Sequence, residues 1–404
     1  MFENILGLDA VTGDLARDLS SGMLPPALLL AGPRFGGKSS IALELARVRT
    51  CRQGGAWNCR CAACTLQRGL QHPDTAMVGD RVFELEIAAA VDAFRREPRA
   101  GTAFLLVRSL RKLLRRFDAF MWPDSRLNKT DAPMRAIEEM LAEIEPGDIR
   151  SEPWLSSDTR KRELMLRKLV EQAGKLQSLL PHDPVPVGVV RALHGWAQLS
   201  STSGARVILI EEAQQLQEAA RNAMLKFLEE PPEGVTLVLT STRPGAMIPT
   251  IMSRLRVYRV PERPPALQAQ VIERIFREAN AQPPLLAEFM RSRSSDLHSW
   301  RALAEELVAG IRSGTTPVAL RQLVQARLGE GPPRRSTEYF LESLGDQLRL
   351  QLREDPSGRQ RPRLVQASRL LNRYWERVSV RNLQPLSAVD GLLVELEAAM
   401  REGA

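Results

Sequence analysis

Gly32-Pro33-Arg34-Phe35-Gly36-Gly37-Lys38-Ser39 is a complete G-x-x-x-x-G-K-[ST] pattern, and its flanks give it a structural setting. The apolar run Ala27 to Ala31 ahead of it reads as a buried parallel strand, and the spacing of Ile41 to Arg47 behind it reads as a helix. Strand, glycine loop, helix is the order in which backbone N–H groups turn towards a phosphate and a helix N-terminus adds positive potential. Gly32 and Gly37 free the backbone, Lys38 supplies a point charge and Ser39 offers a hydroxyl to Mg²⁺. Lysine is scarce in this chain, so a chance match carries little weight. The bland alternative is a glycine turn that keeps its shape and binds nothing.

Outside this loop, 404 residues suffice for two or three domains, and 44% hydrophobic content supplies ordinary cores. Apolar runs are too short for a membrane span, and Met1-Phe2-Glu3-Asn4 lacks the basic flank and apolar core of a signal peptide. The expectation is a soluble cytoplasmic protein with no membrane contact. A formal net charge of +8, carried mainly by arginine, favours an anionic partner such as nucleic acid.

The chain's four cysteines, Cys51, Cys59, Cys61 and Cys64, all fall in one short segment behind the loop helix. In a cytosolic protein such clustering points to metal rather than disulfides. Four thiolates at this spacing close a tetrahedral Zn²⁺ site with no open position, hence a structural one; four free thiols are the alternative. His72, in Gln71-His72-Pro73-Asp74, reads as a loop histidine rather than a ligand.

From about residue 80 to 183 the pattern becomes helical and dense in arginine, with breaks at Pro98, Pro123, Pro133, Pro146 and Pro153. Leu106, Leu110, Leu113, Leu114 and Phe117 make one apolar face, and Arg108, Arg111, Lys112, Arg115 and Arg116 cover the rest. That basic face fits a phosphate backbone or an acidic partner; a solvated face of a helical hairpin is the plainer reading. Arg160 to Leu180 is a second helix that would pair with it. Val185 to Val190 then reads as strand and Arg191 to Leu199 as helix.

Val207-Ile208-Leu209-Ile210-Glu211-Glu212 is a central strand delivering two carboxylates to its C-terminal edge, where P-loop ATPases keep Mg²⁺ and the attacking water. Glu211 would hold Mg²⁺ through water and Glu212 would activate the nucleophile. Val235 to Thr240 is a further buried strand, with Thr240 and Thr242 at its end as hydroxyls able to sense a γ-phosphate. Leu255 to Val260 is a short strand behind Arg254, whose guanidinium is suited to reach a phosphate across a subunit boundary.

Asn222-Ala223-Met224-Leu225-Lys226-Phe227-Leu228-Glu229-Glu230-Pro231-Pro232, followed by Pro249-Thr250-Ile251-Met252-Ser253-Arg254, resembles the bacterial clamp-loader AAA+ subunits of the DNA polymerase III holoenzyme. The cysteine segment behind a P-loop helix fits the same family, and the pattern resembles the delta prime type first and the gamma/tau type second. The resemblance covers about residues 2–76 and 185–262. It implies ATP with Mg²⁺ at Gly32, Gly37, Lys38 and Ser39, the acidic pair at Glu211 and Glu212, and a structural zinc. It also implies that Arg254 acts in trans on ATP held by a neighbouring subunit. Glu211 stands where the family carries aspartate, so weak or absent ATPase activity is expected of this chain. Leu255 replaces the cysteine of the family's Ser-Arg-Cys, and the segment at about 80–183 has no counterpart in the family pattern.

The expected architecture is α/β. A three-layer P-loop AAA+ domain at 1–262 would contain the zinc module (51–64) and the helical insertion, followed by a helical lid at 263–310 and a helical collar at 311–404. Arg291 and Arg293 are candidate lid sensors, and Trp300 and Trp375 read as core. As the resemblance implies, the partners are other clamp-loader subunits in a heteropentameric ring, a sliding clamp and primer-template DNA, with this chain as stator and finger donor. An active motor of the gamma/tau type is the other reading. A P-loop metabolite kinase is disfavoured by the proline-terminated helix and the long helical C-terminal region.

Overall fold

The structure, a computed structural model, describes residues 1–145, 158–181, 183, 185–281, 285–293, 295–313, 318–329, 333–354, 358, 360–379 and 384–401. Pro146 and Pro153, two of the expected helix breaks, lie outside the described residues. The chain divides into two compact units, Met1–Arg293 and Ser294–Ala404. The unit boundary therefore falls inside the segment expected to be the lid.

The first unit runs α1 (Asp9–Ser20), β1 (Ala27–Ala31), α2 (Lys38–Thr50), α3 (Ala62–Arg68), β2 (Thr75–Gly79), α4 (Phe83–Arg96), α5 (Ala100–Leu114), α6 (Asp124–Ile144) and α7 (Thr159–Ser178). It continues with α8 (Val187–Ala197), β3 (Arg206–Glu211), α9 (Glu218–Glu229), β4 (Val235–Ser241), α10 (Pro249–Met252), β5 (Arg256–Arg259), α11 (Pro265–Phe276) and α12 (Leu286–Arg291). The strands form one parallel sheet in the order β2-β3-β4-β1-β5. Every residue of β1 to β4 is buried, as parallel strands covered on both faces require. β5 buries only Tyr258 and turns Arg256 and Arg259 outward, charges that discourage pairing at an edge.

Strand alternation divides the core into two. Leu28 and Leu30 pack with Val11 and Leu15 of α1 and Ile41 and Leu45 of α2; Ala27, Leu29 and Ala31 pack with Val189 and Leu193 of α8 and Met224 and Phe227 of α9. Full burial of each leucine contributes roughly 1.5–3 kcal/mol. The strand expected at Val185 to Val190 is instead the start of α8, because Val189, Val190, Leu193 and Ala197 recur at helical spacing and bury one face. β2 is not among the strands expected from the sequence.

Helices α4 to α7 form a bundle with its own core of Phe83, Phe94, Leu106, Leu110, Leu141 and Leu169. α7 packs on α6 and also touches α4 and α5. The second unit comprises α13 (Ser295–Ser313), α14 (Val318–Gly329), α15 (Pro333–Arg353), α16 (Arg361–Ser379) and α17 (Pro385–Arg401). Trp300 is buried there against Phe340, and Trp375 is half-buried.

Candidate phosphate site, cysteine cluster and exposed arginine

β1 carries the glycine loop to the C-terminal edge of the sheet, and α2 begins at Lys38 with Gly37 as its cap at φ +99°. A Cβ on Gly32 would stand 2.2 Å from the Val260 carbonyl oxygen, so only glycine fits the first turn. Lys38 Nζ donates to the carbonyls of Gly32 (2.9 Å) and Pro33 (2.7 Å) and lies 4.0 Å from Glu212. Burial pushes this ammonium below the usual lysine range, while Glu212 and Glu211 oppose the shift. The loop opens on a cleft of about 1240 Å³ within the first unit, lined among others by Lys38, Ser39, Glu212, Phe104 and Met290.

Glu211 ends β3 opposite Gly79 of β2. Its carboxylate is buried and accepts from the Ser39 hydroxyl, from Arg81 Nη1 at 2.5 Å and from Arg116 Nη2. Arg81 also donates to Ser39 Oγ at 3.0 Å and, through Nε, to Glu86 at 2.7 Å; Glu86 in turn pairs with Lys112. Burial alone would raise the Glu86 carboxyl, but Arg81 and Lys112 outweigh it and hold it at about 2. Glu211 is likewise held below the usual carboxylate range, with Arg81 and Arg116 overcoming its burial. Burial brings Lys112 down to about 8 even with Glu86 beside it. The expected role of Glu211 as a water-mediated Mg²⁺ holder does not fit this arrangement. Its oxygens and the Ser39 hydroxyl are already satisfied by two guanidiniums.

Glu212 adopts φ +51°, and its side chain turns away from that network. It accepts from Thr242 Oγ1 and Gln214 Nε2, both at 2.6 Å, while its backbone N–H donates to Thr240 Oγ1 at 3.2 Å. The structure thus brings together Lys38, Glu212, Thr240 and Thr242, and keeps Glu211 with Ser39 on a separate set of partners.

The sequence reading missed Arg81, Glu86 and Arg263, and assigned Arg116 to an open basic face rather than to this site. Arg263 Nη1 donates to the Gly36 carbonyl (2.9 Å) and Nε to that of Leu6 (2.8 Å), placing a buried guanidinium under the loop. Arg293, a candidate sensor, is paired with Asp92 and Glu278. The basic face of α5 also differs from expectation. Arg111 pairs with Glu145, Lys112 with Glu86 and Arg116 with Glu211, while Arg108 and Arg115 donate to the carbonyls of Arg68 and Thr75. These side chains are buried or half-buried, so they form neither a solvated face nor a phosphate-tracking one.

The four cysteine sulfurs lie within 4.8 Å of one another, with Cys51 at 3.7 Å from Cys59 and 3.9 Å from Cys61. Ligand sulfurs about 2.3 Å from a tetrahedral metal are separated by about 3.8 Å, so the donor set and its spacing fit such an ion. Buried Cys64 also accepts from Arg47 Nη1 at 3.1 Å, and Arg47 is anchored on Glu44 and the Gly55 carbonyl. His72 is buried beside the cluster's segment, its Nδ1 accepting from the Asp74 N–H, which is a structural role.

Arg254 is partly exposed behind α10, with Nη2 2.7 Å from Glu229 and Nη1 donating to the Thr250 carbonyl. Because Arg256 pairs with Leu28 in parallel register, Arg254 enters at the N-terminal edge of the sheet and Gly32 leaves at the C-terminal edge. Roughly 20 Å of strand separates the two.

Comparison with known proteins finds partial matches, one of them over the stretch that carries the acidic pair. Residues 176–264 match the family model described as DNA polymerase III, delta subunit. A 72-residue segment is 42% identical to DNA polymerase III subunit delta' of Pseudomonas aeruginosa, covering 18% of this chain and 22% of that one. The chain resembles DNA polymerase III subunits over part of its length. The gamma/tau subunit of Mycobacterium tuberculosis is 37% identical over 73 residues (18% of this chain, 13% of that one), and Escherichia coli tau is 32% identical over 126 residues (31% and 19%). The chain thus spans less than a quarter of these relatives. A solved gamma subunit-related protein of Thermotoga maritima matches 60% of this chain and 90% of its own at 17% identity with a TM-score of 0.28, too slight to bear on the fold. The stretch matched to the DNA polymerase III delta model contains Glu211, Glu212, Thr240, Thr242 and Arg254; the glycine loop and the cysteines lie outside it. Among the described residues, no helix is long and apolar enough to cross a membrane.

Proposed function

We propose that this chain is a delta-prime-type subunit of the DNA polymerase III clamp loader, an AAA+ protein holding one position in a heteropentameric ring. That ring would place a sliding clamp on primer-template DNA, with ATP at neighbouring subunits. Similarity to delta' and gamma/tau subunits supports the family reading. The observation that carries the role is the position of Arg254, at the sheet edge opposite its own glycine loop and therefore suited to a phosphate on another subunit. The chain acts as stator and finger donor, zinc on Cys51, Cys59, Cys61 and Cys64 serves structure, and α11 and α12 stand as the lid. In a reconstituted loader, Arg254→Ala should lower ATP turnover at least tenfold while the subunits still assemble; unchanged turnover would exclude the trans role. The motor reading draws on the gamma/tau similarity and the complete glycine loop. ATP turnover by the isolated chain that Lys38→Ala abolishes would establish it instead.

A further inference from the structure

Ser39 and Glu211 converge, as a hydroxyl and a carboxylate ordinarily do around a divalent cation, but here the convergence is on Arg81. Its Nη1 lies 3.0 Å from Ser39 Oγ and 2.5 Å from Glu211 Oε1, and Arg116 caps the other carboxylate oxygen. Two guanidiniums bring the same charge as one divalent ion. Neither is a loosely held surface side chain. Arg81 is gripped from behind by Glu86, which Lys112 holds in turn, and Arg116 is 4% exposed with its guanidinium 5.4 Å from the Phe83 ring centroid. Both arginines belong to the segment between β2 and α6 that has no counterpart in the family pattern: Arg81 follows β2 by two residues, and Arg116 lies in the turn after α5.

We propose that Arg81 and Arg116 are built-in replacements for the divalent cation, so that the glycine loop takes a nucleoside triphosphate as the metal-free anion. A guanidinium cannot lose its charge at working pH, so the positive charge that a metal would bring is held permanently beside the loop. Lys38 and the α2 N-terminus supply the remaining positive potential, and Arg81 faces the cleft beside them. A divalent ion entering between Ser39 and Glu211 would have to displace a guanidinium anchored at both ends and would meet like charge from Arg116. This proposal rests on the glycine loop being a nucleotide site and is independent of the role of Arg254.

The test uses the full chain and a fluorescent ATP analogue, titrated once in excess MgCl₂ and once in EDTA, with Mn²⁺ electron paramagnetic resonance to count bound metal in the presence of ATP. Affinities equal within about twofold, and no protein-bound Mn²⁺ beyond that carried by free nucleotide, are the expected results. Affinity at least tenfold tighter with MgCl₂, or binding in neither condition, would overturn the proposal. The double variant Arg81→Ala/Arg116→Ala should acquire bound Mn²⁺ and a dependence on MgCl₂. Should it fail to fold, the single variant Arg81→Gln, which keeps a neutral donor, should show the same gain in weaker form; a folded variant with no gain would count against the proposal. Failure here with an intact Arg254→Ala effect in the assembled loader would remove the arginine replacement and leave the subunit reading standing.

Discussion

At the residue scale, the first unit is governed by a line of alternating charge, Glu211, Arg81, Glu86 and Lys112, running from the glycine loop along the wall of its cleft. Replacing one member of such a buried series leaves a neighbour desolvated and unpaired. Glu86→Gln should cost about 3 kcal/mol of stability, read by urea denaturation. The pH dependence has a definite sign. The folded Glu86 carboxyl, at about 2, lies below its ordinary value of 4.5, so its contribution is complete above pH 4.5 and is lost as pH falls towards 2. Wild type should lose stability across that window by more than the Glu86→Gln variant does. Gly79 is a second point of leverage. At φ +103°, a Cβ there would stand 2.1 Å from the Glu211 carbonyl oxygen, so Gly79→Ala should disturb the β2–β3 edge that aims Glu211. A loss of at least 2 kcal/mol by the same denaturation measurement is expected.

At the element scale, α5 shows how much of the site was legible in the sequence. Its apolar stripe of Leu106, Leu110, Leu113 and Leu114 is buried as helical spacing predicts. The destination of its arginines was not readable, because Glu86, Glu145 and Glu211 lie far away in sequence and meet them only through tertiary packing. A basic face therefore looked available to an outside anion when it was already neutralised within the fold. α8 was misread for a related reason: a run rich in valine suits either a strand or a buried helix, and Pro186 at its N-cap with an apolar period of about four decides for helix. The cysteine cluster was the most legible element, since ligand type and spacing carry the information locally. One zinc per chain is expected by elemental analysis, and Cys64→Ser should lose it and lower the melting temperature. A variant that keeps both its zinc and its stability would show that the thiols have another use.

At the scale of the whole molecule, the parallel α/β portion could be anticipated because the glycine loop and the strand ending in Glu211-Glu212 both demand a C-terminal sheet edge. The division at Arg293–Ser294 was not legible, since apolar spacing identifies α13 as a helix without saying which unit it packs with. Under the proposed function the second unit, α13 to α17, is the part that assembles. Removing residues 294–404 should leave zinc content unchanged and abolish incorporation into the loader, as judged by gel filtration with the other subunits. The direct measurement of the central claim is the native mass of the species formed when the full chain is mixed with the remaining DNA polymerase III loader subunits. The account predicts one five-subunit assembly containing a single copy of this chain; a chain that stays apart from those subunits, or joins only copies of itself, would contradict it.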